Sequence, residues 1–311
     1  MKLRGNAAVD CTAALRQSYA MVTIAAPLDR RAVWVRGVGV IVLASFLFGA
    51  MAVCVRVATL GMQSSQVAFV RFAGSLLVLL VVGHGRGLRP RPGNLRRVLL
   101  RGVLGAGSIV LYYRGIEGAG AGFATLIHCT YPVSTALFAT TLMGERFHAR
   151  LGVGLALNLL GVFIVLGPSA HVSHATMLGG LSAMGASVLA GGAVATARQL
   201  RASEGAFLIT TYFMLVGMVI TAPALLAGLP PPSPALLLAL AGVVLTSVGG
   251  QVLLHQGLGF TPAIQGSLAA ATSVISAAVL KALWLGDRLS PHTLIGACLM
   301  TAAVSLAVSR R

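Results

Sequence analysis

Runs of about twenty apolar residues recur along the chain, and short polar turns separate them. Ten stretches fit: 35–55, 65–83, 97–115, 120–143, 149–167, 176–197, 206–228, 234–255, 262–284 and 291–309. A helix that crosses a bilayer needs about 20 mostly apolar residues. The pattern therefore predicts an all-α polytopic membrane protein with ten transmembrane helices. The strands of a membrane β-barrel would alternate apolar and polar positions over about ten residues, and these runs do not alternate. Residues 1–34 precede the first run and are basic and poorly periodic. Lys2 and Arg4 suit the start of a signal peptide, but Asp10 and Arg16 interrupt any apolar centre behind them. They read as a cytoplasmic N-terminal tail, with Met21 as an alternative start.

Composition agrees with a lipid environment. The chain is 57% hydrophobic and 9% charged, whereas soluble domains carry about 25% charged residues. Its net charge of +17 has no polar domain on which to form a nucleic-acid patch, so no nucleic-acid partner is expected. With the N-terminus inside, 18 of the 23 Lys and Arg residues fall in inner segments. Arg56, Arg114 and Arg288 fall outside, and Arg71 and Lys281 fall within spans. Cytoplasmic loops carry the excess of basic residues. The bias thus predicts both termini in the cytoplasm and an even number of spans. The Arg-heavy, Ala-rich composition suggests a bacterial inner (plasma) membrane. Cys11, Cys54, Cys129 and Cys298 lie far apart with no metal-binding spacing, so neither a disulfide nor a metal site is expected.

The chain also repeats itself. "GSIVLYYRG" (107–115) aligns with "GGQVLLHQG" (249–257), a shift of 249 − 107 = 142. At that shift Thr130 meets Thr272, Ser134 meets Ser276, and Gly144-Glu145-Arg146 meets Gly286-Asp287-Arg288. Two units follow, 35–167 and 176–309, of five spans each. Five is odd, so the second unit enters the membrane from the opposite side. Such inverted repeats are a construction of secondary transporters. Two five-helix units, with a Pro-containing fourth span that closes on Gly-Glu-Arg, resemble the drug/metabolite transporter superfamily, EamA branch. The stretch "YYRGIEGAGAGFATLIHCTYPVSTALFATTLMGERF" (112–147) carries the resemblance most specifically. In the second unit Val274 stands in place of the proline and Asp287 in place of the glutamate. The resemblance implies a central cavity between the halves and movement of small organic solutes.

Polar residues inside the spans are the candidate chemistry. Tyr112, Tyr113, His128, Tyr131, Gln251, His255 and Gln265 come from spans three, four, eight and nine and could converge near the midplane. His128 and Tyr131 share a face beside Pro132, which can kink its helix. Helix–helix hydrogen bonding is the competing use of such groups. The third span reads as short and interrupted by Gly102, Gly105 and Gly107. Either Arg101 snorkels to the cytosol or Arg114 points into a vestibule. Arg71 lies within span two, where burial costs about 3 kcal/mol on insertion scales. Either it snorkels outward or a substrate carboxylate or phosphate compensates it, the second reading being the favoured one. Lys281 reads as snorkelling. Glu145 is expected near the start of span five, complementing that helix's dipole. Arg146, Asp287 and Arg288 complete these structural helix ends.

No HExxH, G-x-S-x-G or Walker motif occurs. The six acids, Asp10, Asp29, Glu117, Glu145, Glu204 and Asp287, fall in the tail or at loops. No catalytic residue, cofactor or metal is therefore expected. The expected function is a carrier for a small-molecule substrate such as an amino acid, a nucleoside-like compound or a small organic acid, working by alternating access. A membrane-embedded lipid-modifying enzyme, or a channel or scaffold, is the alternative. The lipid bilayer is the expected surrounding, and a homodimer is compatible with the sequence. His128 and His255 are the intramembrane groups whose ordinary pKa lies near neutrality, so proton coupling would fall to one of them.

Overall fold

The computed structural model of the chain describes residues 30–85, 92–119, 121–166, 174–285 and 291–308, and every regular element among them is helical. Asp287, Arg288 and nearly all of the N-terminal tail lie outside the described residues. The first half holds α1 (Arg30–Ala58), α2 (Ser64–Gly85), α3 (Leu95–Ala119), α4 (Ala121–His128), α5 (Tyr131–Met143) and α6 (Ala149–Leu166). The second holds α7 (His174–Leu200), α8 (Ala206–Thr221), α9 (Pro234–Leu258), α10 (Ala263–Ala271), α11 (Ser273–Leu285) and α12 (Pro291–Val308). A 3-10 helix at Ala222–Ala227 extends α8.

Six stretches among the described residues are long and apolar enough to cross a membrane: Ala32–Ala58, Ser64–Gly85, Met177–Leu200, Ala206–Ala227, Pro234–Leu258 and Ala263–Trp284. Ala149–Val165 and Pro291–Ala307 are shorter apolar helices. Length and hydropathy therefore give fewer spans than the ten read from the sequence. α3 has the length, 25 residues, but carries Arg96, Arg97, Arg101 and Arg114, and the fourth predicted span is divided into α4 and α5. Large apolar side chains cover the outside, among them Leu77, Leu137, Leu181, Leu238 and Leu245. A water-soluble monomer rarely exposes apolar surface on this scale. The chain is a multi-pass membrane protein.

The halves repeat in structure as in sequence. Adding 142 to 64–85, the bounds of α2, gives 206–227, the extent of α8 with its 3-10 turn. The same shift carries 131–143 of α5 to 273–285 of α11, and 149–166 of α6 to 291–308 of α12. The halves are also interleaved. α1 lies along α9, and its equivalent α7 lies along α3; α6 packs on α12. Small residues allow the approach. A Cβ at Gly49 of α1 would stand 2.6 Å from Ser276 Cβ, and one at the equivalent Gly191 of α7 would stand 2.5 Å from Ser134 Cβ.

Both breaks have one chemistry. Thr130 Oγ1 donates to Ile127 O at 2.7 Å, and Thr272 Oγ1 donates to Ala269 O at 2.7 Å. Each hydroxyl is a second donor to a carbonyl that already accepts the threonine's own backbone N–H, Thr130 N at 3.1 Å and Thr272 N at 3.3 Å. Serines from the opposite half support both sites. Ser187 of α7 bonds Thr130 Oγ1 at 2.9 Å, and Ser45 of α1 donates to Ala269 O at 3.0 Å. Pro132 occupies the first turn of α5, where a proline loses no intrahelical bond. Glycine does not interrupt the third span. α3 is continuous through Gly102, Gly105 and Gly107, and these residues make room for Val216, Phe213 and Leu189 respectively.

Candidate functional site

α9 carries Ser247, Gln251 and His255 four residues apart, which places them on one face. All three are buried. Arg71 Nε of α2 donates to Ser247 Oγ at 2.9 Å. Eight residues further along α9, His255 Nε2 meets Arg101 Nη2 of α3 at 3.1 Å, and its Nδ1 meets Thr210 Oγ1 of α8 at 2.8 Å. A guanidinium only donates, so Nε2 is the acceptor and the ring proton belongs on Nδ1. Thr210 Oγ1 in turn donates to Ala206 O at 2.8 Å, which leaves a lone pair for that proton. The network thus assigns a neutral imidazole. Gln251 sits between the two arginines, and its buried Oε1 has no partner.

Arg71 and Arg101 are 6% and 4% exposed. Arg71 lies 5.5 Å from the Phe72 ring centre and interacts with Tyr113. Arg101 stacks 4.7 Å over Phe213. The two phenyl rings meet edge to face at 5.4 Å and 87°, so an aromatic pair bridges the arginines. Arg101 does not snorkel. Helical side chains point back toward the N-terminus of their helix, yet its guanidinium lies over Gly105, one turn further on, where any Cβ would collide with Nη1. Nε and Nη1 of Arg101 are buried without partners. Arg114, by contrast, is exposed. Tyr113 and His255 are equivalent (113 + 142 = 255), and each lies against a buried arginine.

The remaining candidates divide. Tyr112, Tyr113, His128 and Tyr131 form an aromatic cluster, with ring centres 6.0 Å apart for Tyr112–Tyr113, 4.7 Å for Tyr112–His128 and 6.0 Å for His128–Tyr131. Tyr112 and Thr125 share a hydroxyl contact, and Tyr131 donates to Ser267 O of α10 at 3.0 Å. His128 Nδ1 is buried without a partner. Tyr113 joins this cluster to the α9 face through Arg71. Gln265 stands apart. It accepts from Trp34 Nε1 at 2.8 Å and donates to Ala307 O at 3.1 Å, which ties α10 to α1 and α12.

Glu145 serves a different helix from the one expected. Gly144, at φ 64°, ends α5 in the left-handed conformation and lets Glu145 N donate to Ala139 O at 3.0 Å. The turn aims the carboxylate at the other half, where it accepts from Ala263 N at 2.9 Å and Ile264 N at 3.5 Å, the free amides that start α10. Span five, α6, begins without it, and Arg146 is exposed. Glu204, at the α7–α8 turn, also reaches the other half and accepts from Gly93 N at 2.7 Å and Asn94 N at 3.1 Å before α3. Beside it, Arg201 donates to Glu204 O. Burial, and then neighbouring Arg198, hold the Arg201 guanidinium below its ordinary value.

Arg101, Ser247, Thr210, Phe213 and Glu204 were not among the sequence candidates. For Arg101 the available signal was Gly105 one turn on. For Ser247 it was the four-residue spacing to Gln251 and His255. Two concavities lie away from all these groups. One of about 620 Å³ sits between the α1–α2 turn and Gly228, lined by Thr59, Gln63 and Gln66. One of about 140 Å³ opens between Leu104, Phe138 and Gln199.

Residues 35–167 and 177–309 each match the EamA-like transporter family. The two matches are themselves offset by 177 − 35 = 142. The pseudopaline exporter of Pseudomonas aeruginosa (strain UCBPP-PA14) is 32% identical over 225 residues, 70% of this chain and 76% of that protein. An uncharacterized transporter of Archaeoglobus fulgidus is 26% identical over 280 residues, 88% of this chain and 98% of that protein. A solved crystal structure, 19% identical, superposes with a TM-score of 0.73 and covers 86% of this chain and 94% of its own.

Proposed function

This chain belongs to the EamA-like transporter family, and from that premise we propose that it is a secondary carrier that moves a small organic metabolite across a bacterial inner membrane by alternating access. Its ten spans, two of them broken, form two oppositely inserted five-span units around a central path, and both termini are cytoplasmic. The observation that carries this reading is the pair of broken helices, α4–α5 and α10–α11, at equivalent positions of the two halves. Discontinuous spans at a repeat interface mark the substrate sites of carriers. A break where the backbone bonds tighten to three-residue spacing and a threonine hydroxyl shares the carbonyl offers a hinge about which each half-helix can swing. Between the breaks, Glu145 and Tyr131 fasten α5 to α10, which corresponds to a path closed at that end.

Exchange tests the carrier reading. Proteoliposomes loaded with an isotopically labelled metabolite extract should release one component against its unlabelled counterpart outside, with saturation and counterflow. Linear flux, or no exchange of any component, would contradict a carrier. The pseudopaline exporter among the relatives favours efflux, and inside-out vesicles would show it as uptake.

A further inference from the structure

The α9 face joins two cations that no group among the described residues neutralises. Arg71 has Ser247, Tyr113 and Phe72 as neighbours, and Arg101 has His255 and Phe213. Among the described residues no carboxylate pairs with either. A buried lysine could shed its proton, but arginine stays charged. A buried unpaired charge is strongly unfavourable unless a counter-ion or hydrogen-bonding groups satisfy it. At Arg101 the hydrogen bonds are incomplete too, because only Nη2 is bonded, to His255, and Nε and Nη1 have no partner. The three acids among the described residues are exposed or already engaged, and Asp10, Asp29 and Asp287 lie outside the described residues. Glu117 is exposed, Glu145 holds α10 and Glu204 holds the start of α3. In the sequence reading Asp10 and Asp29 precede the first span and Asp287 falls between spans.

We propose that Arg71 and Arg101 are the two ends of a receptor for an elongated dianion, a solute with a carboxylate near each end and a hydrogen-bond donor between them. The inference rests on the carrier reading and names its substrate class. A monoanion could neutralise only one guanidinium at a time, whereas a dianion neutralises both. Separation favours two carboxylates over one phosphate, because a phosphate concentrates close to two charges in one place. Ser247 and His255, the α9 partners of the two arginines, are eight residues apart, about 12 Å along the helix at 1.5 Å per residue. The guanidinium fork matches a planar carboxylate. Midway, Gln251 Oε1 is a buried acceptor without a partner, and it suits a hydroxyl or amine in the middle of the solute. Arg198 and Arg201 stand at the end of α7 and in the turn behind it. They are only part-buried and near a helix C-terminus that favours cations. Each also keeps a buried Nε without a partner, and together they supply an anion-attracting approach to Arg101.

The test is equilibrium binding to the purified full chain, followed by ligand-induced thermal stabilisation. The probes are straight-chain dicarboxylates from succinate to sebacate and their monomethyl esters, which keep the length and remove one charge. Wild type should bind a diacid of intermediate or greater length at least tenfold tighter than its half-ester. Arg101→Gln should lose that preference and bind diacid and half-ester alike, while Arg101→Lys retains part of it. Equal binding of diacid and half-ester by wild type would overturn the proposal without any variant having to fold. So would an undiminished preference in Arg101→Gln. A diacid preference without flux in proteoliposomes would remove the carrier reading and keep the site. Saturable counterflow of an uncharged solute, with no diacid preference, would do the reverse.

Discussion

A proton arriving at His255 would break its contact with Arg101. The Nε2 lone pair already accepts from Nη2 at 3.1 Å, and protonation would set N–H against N–H and one cation against another. His255 is therefore built as a neutral acceptor that orients a guanidinium, with Thr210 fixing its tautomer. His128 differs, since its Nδ1 is buried without a partner and its ring faces Tyr112 and Tyr131. If transport is coupled to protons, His128 is the group with a site free to take one. In vesicles with an imposed pH gradient, His128→Gln should lose gradient-driven accumulation. His255→Gln should keep the gradient dependence, with weaker substrate affinity, because an amide oxygen can still accept from Arg101. Accumulation lost in His255→Gln and intact in His128→Gln would reverse the assignment. His255 was legible as a polar residue matched to Tyr113 across the repeat. Its partner was not, because an arginine near the start of a span looks like a topology signal. Only the bare backbone at Gly105 lets that side chain run deeper into the protein.

Each broken helix combines a local chemical signal with a partner from the other half, and only the first part was legible. Pro132 drew attention to span four, yet its equivalent is Val274 and α10–α11 breaks at the same place. The shared residue is the threonine, whose hydroxyl joins its own N–H on the carbonyl three residues back in both halves. Threonine is common in spans, so neither the residue nor its spacing announces a break. The Gly-Glu-Arg triplet was legible as a helix end, but not the helix it serves, because nothing local points 118 residues ahead to Ala263. Removing a side chain that caps a helix start typically costs about 1 kcal/mol, up to about 2. If Glu145 holds α5 against α10, Glu145→Ala should shift the closed–open balance at that end about fivefold and up to about thirtyfold, since about 1.4 kcal/mol represents a factor of ten. A cysteine at Ser267, which the Tyr131 hydroxyl contacts, reports the change. Its reaction rate with a water-soluble thiol reagent should rise in Glu145→Ala and stay near wild type in Glu145→Gln, whose amide oxygen still accepts. An unchanged rate in Glu145→Ala would leave the carboxylate as a cap with no part in closure.

At the scale of the whole molecule, an odd number of spans per unit would make the repeat useful to the proposed carrier. Two copies inserted the same way would present the same end to the same compartment, and exchanging their conformations would move nothing across. Inserted oppositely, each copy closes the end that its equivalent opens. The basic residues fit this arrangement, since most fall in inner segments. Moving Arg101 from an inner turn into the protein lowers the inner count to 18 − 1 = 17 of 23 without altering its sign. The proposed arrangement would put the loop at 144–150 in the cytoplasm and its equivalent at 286–290 outside, although the two share the Gly-acid-Arg sequence. Single cysteines in each loop, in a background without Cys11, Cys54, Cys129 and Cys298, should react with an impermeant maleimide from opposite faces. In intact spheroplasts the 286–290 position should label and the 144–150 position should not, and inside-out vesicles should give the opposite pattern. Labelling of both from one face would mean that the halves are inserted in parallel. The matched breaks would then have lost the symmetry through which they could alternate, and the carrier mechanism would need another source for its second state.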